Sequence, residues 1–170
     1  MTEALHGFDL ARDAALFADG AAEDAQVKAN RRIFLQAWPD NADLARMFAQ
    51  DSAGPIGVIE RNLIIFTQDQ SRTGAVALHN VTPTMEAELI ASSTPGIWHR
   101  STLRYLALWI FMENPIRRLV CRIPANQPKL QDYARRLGFT LEGRSKRYFT
   151  DDIDATVWVM FANTCPWLKG

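Results

Sequence analysis

The order of predicted elements places the chain in the α/β (α+β) class, with a central mixed and mostly antiparallel sheet. Residues 10–50 are rich in Ala, Leu, Arg and Gln, a composition typical of helices. Short β-branched runs separated by turn residues then occupy residues 54–92, which is typical of an antiparallel meander. From residue 93 onward, helical and strand patterns alternate. We therefore expect about six or seven strands flanked by about four helices.

The first region, residues 1–53, is predicted to form two helices separated by a break at Pro39. Apolar residues recur three or four positions apart in each, which predicts one apolar face per helix. These faces consist of Val27, Ile33, Phe34 and Trp38 in the first helix, and of Leu44, Met47 and Phe48 in the second.

The second region, residues 54–92, is predicted to contain four strands. Each run is rich in aliphatic and β-branched residues and is bounded by turn residues such as Gly54-Pro55. The polar stretch 68–72 predicts a turn between the second and third strands. The four strands cover residues 56–60, 62–67, 74–79 and 85–92.

The third region, residues 93–161, is predicted to contain two helices. Ser101 is a candidate N-cap for a helix over residues 102–114, which ends before Pro115. The second helix has Pro128 in its first turn and Gly138 at its C-terminal cap. Strands are predicted over residues 118–123, 139–149 and 155–161, followed by a tail over residues 162–170.

The composition excludes several classes of protein. The 170 residues include 19 basic and 19 acidic side chains, whereas a general nucleic-acid binder needs a surplus of Lys and Arg. The longest apolar segment, residues 103–112, is too short to span a bilayer, and the N-terminus lacks the pattern of a signal peptide. Cys121 and Cys165 lack metal-ligand spacing and predict two free thiols. No linker rich in Pro or Gly divides the chain, so we expect one cytoplasmic domain over residues 1–170 without a metal.

Two segments form a motif known from other proteins. Residues 118–126, RLVCRIPAN, read as a strand that ends at Asn126, and residues 133–143, YARRLGFTLEG, read as a helix that ends in Leu-Gly-Phe before Glu-Gly. This succession resembles the C-terminal half of the GNAT superfamily of N-acyltransferases. The Glu-Gly ending is most similar to the branch that acetylates protein N-termini and related amines. The resemblance implies a GNAT-like fold, acetyl-CoA as co-substrate and an amine acceptor.

The resemblance also indicates a cofactor loop. In this family the loop after the fourth strand carries an Arg/Gln-x-x-Gly-x-Gly/Ala pattern, in which glycines let the backbone approach the pyrophosphate and helix N–H groups donate to it. Here residues 96–103 retain only Gly96. A simple cap at Ser101, core packing of Trp98 and helix capping by Asn126 are the structural alternatives. The candidate cofactor-binding residues are Ile97, Trp98, His99, Arg100, Ser101, Thr102 and Asn126.

Three residues are candidate catalytic groups. Many family members have a general-acid Tyr four residues before the Gly of Gly-Phe, where this chain has Ala134. Counted from Asn126, Tyr133 takes that place, and the alternative is a half-buried Tyr on an amphipathic helix. Glu86 and Glu88 alternate on the fourth strand and share one face, as a general base for an amine requires, although a solvated strand face explains them equally well.

Other residues are weaker candidates. His79 ends the third strand, and Asp151, Asp152 and Asp154 form an acidic turn where the family's acceptor site lies. Trp98 and Trp167 have no place in the periodic core pattern, and an exposed Trp is a common anchor for a protein partner. Arg144, Lys146 and Arg147 form a basic patch, for which a solvated strand face is the alternative.

Two functions are compatible with the sequence. The first is an N-acyltransferase that moves an acetyl group from acetyl-CoA to a primary amine of a protein or small molecule. The second, favoured by the lost glycines and the displaced Tyr, is an inactive GNAT-like structural or interaction protein. Such proteins are similar to ones encoded by bacteriophages, some of them in the virion. Either function is compatible with an oligomer, and acetyl-CoA binding distinguishes the two.

Overall fold

The computed structural model describes residues 33–37, 59–67 and 72–169, which form a seven-stranded sheet. The strand order is β1-β2-β3-β4-β5-β7-β6, and every neighbouring pair is antiparallel except β4 and β5. The predicted mixed, mostly antiparallel sheet is confirmed. The strands are β1 (Ile33–Ala37), β2 (Ile59–Thr67), β3 (Thr73–His79), β4 (Glu86–Ser93), β5 (Arg118–Pro124), β6 (Thr140–Thr150) and β7 (Ile153–Phe161).

Two helices connect the strands of the second half. Helix α1 (Arg100–Leu108) lies between β4 and β5 and continues into a π-helical turn, Trp109–Glu113, while α2 (Pro128–Arg136) lies between β5 and β6. A short 3-10 helix, Ala162–Thr164, follows β7. None of the helices in the described part of the chain is long and apolar enough to cross a membrane.

The prediction of a helix through residues 33 and 34 is wrong. Residues Ile33–Ala37 form β1, which pairs antiparallel with β2. Three consecutive β-prone apolar residues fit a buried strand as well as a helix, and the edge of β2 decides between the two. The rest of both N-terminal helical predictions, including Val27, Trp38, Leu44, Met47 and Phe48, lies outside the described residues.

The division of the meander into strands 56–60 and 62–67 is also wrong for the described residues. Strand β2 runs without interruption from Ile59 to Thr67, with a register shift against β3 between Ile59 and Arg61. Glu60 lies at this irregularity, and its carboxylate accepts a hydrogen bond from Val81 N at 2.7 Å. The extra residue of a β-bulge therefore produces the change of pattern that resembles a turn in the sequence.

Both helices pack on one face of the sheet. This face has an apolar core formed by inward-facing side chains of β2, β3, β4, β5 and β7 together with α1 and α2. Burying this surface is the main favourable term in folding, at roughly 25 cal/mol per Å² of apolar area. Its most buried members include Ile65, Val76, Leu78, Ala87, Ile97, Leu119 and Ile123.

Strands β4 and β5 separate part-way along their length. They pair in parallel at three consecutive positions, from Glu86 opposite Arg118 to Glu88 opposite Val120. Beyond these positions β4 continues to Ser93 and β5 to Pro124 without further pairing between the two strands. The strands therefore enclose a wedge. Its wide end lies at their carboxyl ends, from which the chain leads into α1 and α2.

The C-terminal tail packs against the end of α2. Cys165 is 1% exposed, and Trp167 Nε1 donates to Leu137 O at 2.8 Å. Gly138 has φ +99°, and a Cβ at this position would lie 2.7 Å from Pro166 Cγ. The left-handed cap of α2 and the close approach of the tail thus both require glycine.

Candidate active site

Four polar side chains meet on the sheet face opposite α1 and α2, around the carboxylate of Glu88. Arg122 Nη1 donates to Glu88 Oε2, and Tyr148 Oη donates to Oε1 at 3.1 Å. His79 Nε2 lies 3.7 Å from Oε2. The Glu88 side chain is only 8% exposed, so it needs these partners. We call Glu88 and Arg122 the inner pair.

Strand pairing places three of these groups together. His79 lies directly opposite Glu88 in the antiparallel β3–β4 ladder. Glu88 is also the last β4 residue that pairs with β5, opposite Val120. Arg122 lies two residues further along β5, on the same face, and reaches back across the opening of the wedge. The inner pair therefore spans the point where the strands separate.

Tyr148 comes from β6, which lies beyond β7 in the sheet. The β6–β7 register is interrupted between residues 145 and 150, and Arg147 has φ +53°. Asp154 stabilises this bulge because its Oδ1 accepts from Arg147 N at 2.8 Å, an interaction that lowers the pKa of Asp154. Bulges bend a strand and redirect its side chains. Here the bend brings Tyr148 to Glu88, with its ring 5.1 Å from the Arg122 guanidinium carbon.

The surroundings set the protonation of these groups. Burial lowers the pKa of His79 below its ordinary value of 6.5, against the opposing effect of the Glu88 charge. Burial raises the pKa of Tyr148, and the Glu88 charge raises it further. For Arg122, burial acts to lower the pKa, but the hydrogen bond and charge of Glu88 outweigh it and the pKa rises. At neutral pH, His79 is therefore neutral, Tyr148 protonated and Arg122 charged.

A second ion pair lies on the same face, two residues back along β4 and four residues back along β5. Arg118 donates to Glu86 and to Glu142. The Glu86 side chain is 35% exposed and that of Glu142 is 46% exposed. We call Glu86 and Arg118 the outer pair. It lies where β4 and β5 are still hydrogen-bonded, so it is outside the wedge.

The loop between β4 and α1 differs from a glycine-rich phosphate loop. Gly96 has φ +81°, and a Cβ there would lie 2.7 Å from Arg72 Nη1. This same Nη1 donates to Gly96 O at 3.1 Å. The glycine thus permits a turn and the packing of Arg72, and the space next to it is filled by the guanidinium.

Trp98 and Ile97 belong to the core, at 4% and 0% exposed. Trp98 Nε1 donates to Ser93 Oγ at 2.6 Å, and a Cβ on Gly74 would lie 3.4 Å from Trp98 Cη2. The expectation that Trp98 is an exposed partner anchor is therefore wrong. The ring reaches β3, where Gly74 lies close to it.

The start of α1 contains the remaining candidates of the cofactor loop. The prediction that Ser101 caps the helix is wrong, because α1 begins at Arg100 with His99 as its N-cap and no side-chain cap bond. Ser101 Oγ instead lies 2.8 Å from His99 Nδ1. Arg100 and Ser101 are exposed, and Thr102 is buried. The first-turn N–H groups have no intrahelical acceptor and favour an anion.

Asn126 and Tyr133 lie at and beyond the start of α2. The N-cap of α2 is Gln127, so Asn126 does not cap the helix as predicted, and its side chain is exposed. Tyr133 is 4% exposed. It is buried apart from the connected apolar cluster that contains its neighbour Ala134. The one-residue offset seen in the sequence thus corresponds to two different environments on the helix, as expected for a rotation of about 100°.

The remaining candidates are distributed around this region. Asp151 and Asp152 are exposed in the turn of the β6–β7 hairpin, and Asp154 Oδ2 accepts from Arg144 Nε at 2.8 Å, so part of the basic patch is neutralised. Trp167 is half-buried against α2. Both cysteines are free thiols as predicted, and burial raises the pKa of Cys121 to about 12. Within the described ranges, no group of three His, Cys, Asp or Glu residues is arranged to hold a metal.

Comparison with known proteins identifies the architecture. No protein-family model and no curated protein matches the sequence. Among solved structures, mutant forms of the spermidine/spermine N-acetyltransferase SpeG from Vibrio cholerae match with TM-score 0.62 and 14% identity, over 78% of this chain and 96% of that one. A dodecameric structure of spermidine N-acetyltransferase from Vibrio cholerae matches with TM-score 0.58 and 13% identity, over 81% and 96%. The chain has the GNAT fold.

Two residues of this polar site are not identified by the sequence analysis. The sequence pattern places Arg122 in a strand and Tyr148 in the last hairpin, with no functional role assigned to either. The sequence does contain an indication for Arg122. Arg118 and Arg122 lie on one face of β5, and the parallel register places this face beside the face of β4 that carries Glu86 and Glu88. No pattern in the sequence predicts the β-bulge that positions Tyr148 beside Glu88.

Proposed function

We propose that this GNAT-fold chain is an N-acetyltransferase that transfers an acetyl group from acetyl-CoA to a primary amine. The observation that carries the proposal is the wedge between β4 and β5, with Glu88 at its closed end. A thioester and an amine that enter from opposite faces of the sheet would meet at such an opening. The SpeG structures share the fold, and SpeG is a spermidine/spermine N-acetyltransferase.

The backbone of β4 suits the pantetheine arm of acetyl-CoA. Where β4 leaves β5, from Leu89 to Ser93, its β5-side N–H and C=O groups have no ladder partner on β5. Buried backbone groups require partners, and an extended arm with two amide groups can pair with a strand edge. The arm would lie along β4 with the phosphates at the start of α1, near Arg100, Ser101 and Thr102. Asn126 would border the arm from the β5 side.

Glu88 is the better of the two candidate bases. It lies at the closed end of the wedge and is buried, whereas Glu86 lies in the paired part of the strands and is bound to Arg118. The ammonium group of the acceptor gives one proton to Glu88, and the resulting neutral amine attacks the thioester carbonyl carbon and forms the C–N bond. The nitrogen releases its second proton to solvent as the tetrahedral intermediate collapses. The C–S bond then breaks and the coenzyme A thiolate leaves.

Tyr133 is proposed as the acid that protonates this thiolate. It lies on α2, which begins at the carboxyl end of β5, and its side chain is buried outside the apolar cluster. A phenol beside the departing sulfur can act as its general acid. The Tyr133 proton would pass to sulfur as the C–S bond breaks.

Calorimetry with acetyl-CoA and with coenzyme A tests the proposal, followed by measurement of thiol release with a panel of amines. Micromolar binding and amine-dependent thiol release are expected. Glu88→Gln should lower kcat by about 10²–10⁴-fold, and Tyr133→Phe by a smaller factor, because general acid–base catalysis contributes about this much. Glu142→Gln, an ion-paired carboxylate on the same face, is the matched control and should retain activity.

Two results would contradict this assignment. Absence of acetyl-CoA binding at millimolar ligand excludes the acetyltransferase and leaves a GNAT-shaped scaffold. Loss of activity in Glu86→Gln, with activity retained in Glu88→Gln, moves the base from the inner to the outer pair.

A further inference from the structure

The guanidinium of Arg122 is used only in part. It carries five N–H donors in a planar fork, and it reaches Glu88 through Nη1. Its Nε is buried and has no hydrogen-bond acceptor among the described residues. A buried donor without an acceptor is unfavourable, so the Nε–Nη2 edge of Arg122 is suited to an additional anionic oxygen. This is the edge through which Arg binds carboxylates in bidentate fashion.

Glu88 also retains capacity for a ligand. Its Oε1 accepts from Tyr148 and its Oε2 from Arg122, while each carboxylate oxygen has two lone-pair positions. An ammonium group can therefore bind Glu88 without displacing either partner. The inner pair thus presents one position for a positive group next to one position for a negative group.

We propose that the inner pair recognises a zwitterionic acceptor of the amino-acid type, with its ammonium on Glu88 and its carboxylate on the Nε–Nη2 edge of Arg122. The proposal rests on the proposed function, because the amine that Glu88 binds is the amine that is acetylated. The charges of the ligand and of the pair then alternate, so every charge has an opposite neighbour.

Other amines fit this pair less well. A polyamine carries only positive charge, so it is attracted by Glu88 and repelled by Arg122. An amide next to the amine, as at a peptide N-terminus, offers Arg122 a neutral oxygen in place of a carboxylate and forms a weaker hydrogen bond. The expected acceptor therefore differs from spermidine, for which SpeG is named.

The guanidinium is held in a fixed plane. The Arg122 side chain is 26% exposed although its Nε is buried, so a ligand carboxylate would approach through the exposed part of the fork. The Tyr148 ring stacks on the guanidinium at 5.1 Å and restricts its plane. A fork held in place loses little entropy when a carboxylate binds, and this favours selective recognition.

The test is acetyl transfer to a panel of α-amino acids, each assayed beside its amide and its decarboxylated amine, with spermidine included. For the preferred amino acid, we expect kcat/KM at least about tenfold higher than for its amide or amine, the factor that corresponds to about 1.4 kcal/mol. Equal or faster transfer to the amide, the amine or spermidine would overturn the proposal.

Arg122→Lys keeps the charge and removes the bidentate edge. It should raise the KM of the amino acid about tenfold more than it raises the KM of the decarboxylated amine. Arg118→Lys is the matched control and should change neither. If Arg122→Lys raises the KM of both substrates equally, Arg122 is structural and the proposal is wrong.

Calorimetry with the amino acid alone separates this proposal from the proposed function. If the protein acetylates no amine but binds the amino acid, and Arg122→Lys weakens this binding, the recognition site is supported and the acetyltransferase function is rejected. If the protein acetylates other amines but does not bind the amino acid, the acetyltransferase function is supported and the proposal of an amino-acid recognition site is overturned. Absence of both binding and transfer overturns both.

Discussion

The inner and outer pairs consist of the same residue types on the same two strands, yet their surroundings differ. In the inner pair the Glu88 side chain is 8% exposed, and a phenol and an imidazole lie beside it. In the outer pair the Glu86 side chain is 35% exposed, and Arg118 is shared with Glu142. The difference arises because β4 and β5 separate just beyond Glu88. The separation of the two strands thus places the inner pair in a buried polar site, while the outer pair stays partly solvated.

Removing the arginine of each pair should give the largest contrast. Arg122→Met leaves the Glu88 carboxylate buried with reduced compensation and should destabilise the fold by about 3 kcal/mol. Arg118→Met breaks a pair whose carboxylates are partly solvated and should cost less than about 1 kcal/mol. Urea denaturation at neutral pH measures both.

A double variant identifies the cause of this contrast. Glu88→Gln added to Arg122→Met removes the uncompensated charge, so at least half of the lost stability should return. If the double variant is no more stable than Arg122→Met, the effect of Arg122 comes from packing and the contrast between the pairs is not electrostatic.

Tyr148 is the partner that the outer pair lacks, and its removal should have the next largest effect. Tyr148→Phe retains the ring over Arg122 and removes the hydrogen bond to Glu88, which should destabilise the fold by about 1.5 kcal/mol. Tyr105→Phe is a suitable control because Tyr105 is 53% exposed. Thermal denaturation of the two variants side by side checks the prediction, and equal shifts would show that the bond to Glu88 contributes nothing.

His79 should make the inner pair, but not the outer pair, sensitive to pH. Its pKa is lower in the folded protein than its ordinary 6.5, so below pH 6.5 the unfolded chain binds more protons than the folded one. Stability should therefore fall as pH decreases from 6.5, by at most about 1.4 kcal/mol per pH unit, and His79 should contribute no slope above pH 7. Urea midpoints between pH 5.5 and 7.5 should have a smaller slope in His79→Gln, and an unchanged slope contradicts the neutral imidazole.

Salt should produce the smallest effect and act on the outer pair alone. Exposed charges are screened within about 3 Å at 1 M salt, whereas buried pairs are screened much less. The coupling between Glu86 and Arg118, about 0.5 kcal/mol at low salt, should approach zero at 1 M salt. The coupling between Glu88 and Arg122 should persist. Double-mutant cycles at both salt concentrations measure these couplings, and equal loss in the two pairs would show that their burial does not differ in solution.

Much of the fold could be predicted because local patterns and tertiary contacts agree from residue 72 onward. β3, β4, β5, α2 and the last hairpin lie within a few residues of their predicted bounds. Residues 33–37 were mispredicted because their apolar run satisfies both helix and strand periodicity, and only pairing with β2 selects the strand.

The site was predicted less completely because it depends on geometry that the sequence does not encode locally. Glu88 was identified by alternation with its neighbours. Arg122 became a partner only through the parallel register, and Tyr148 only through the bulge at Arg147. Gly96 is the one glycine of the predicted cofactor loop, although Arg72, which directly precedes β3, occupies the space beside it.

The bond between Tyr148 and Glu88 joins residues that lie 60 positions apart in the chain. During synthesis from the ribosome, the carboxylate therefore emerges well before the hydroxyl that binds it, and Arg122 emerges between them. A nascent chain that has completed β4 holds a carboxylate destined for burial with none of its β5 or β6 partners. The closed end of the wedge consequently matures only after the final hairpin has folded, which makes truncation within that hairpin equivalent to loss of the site.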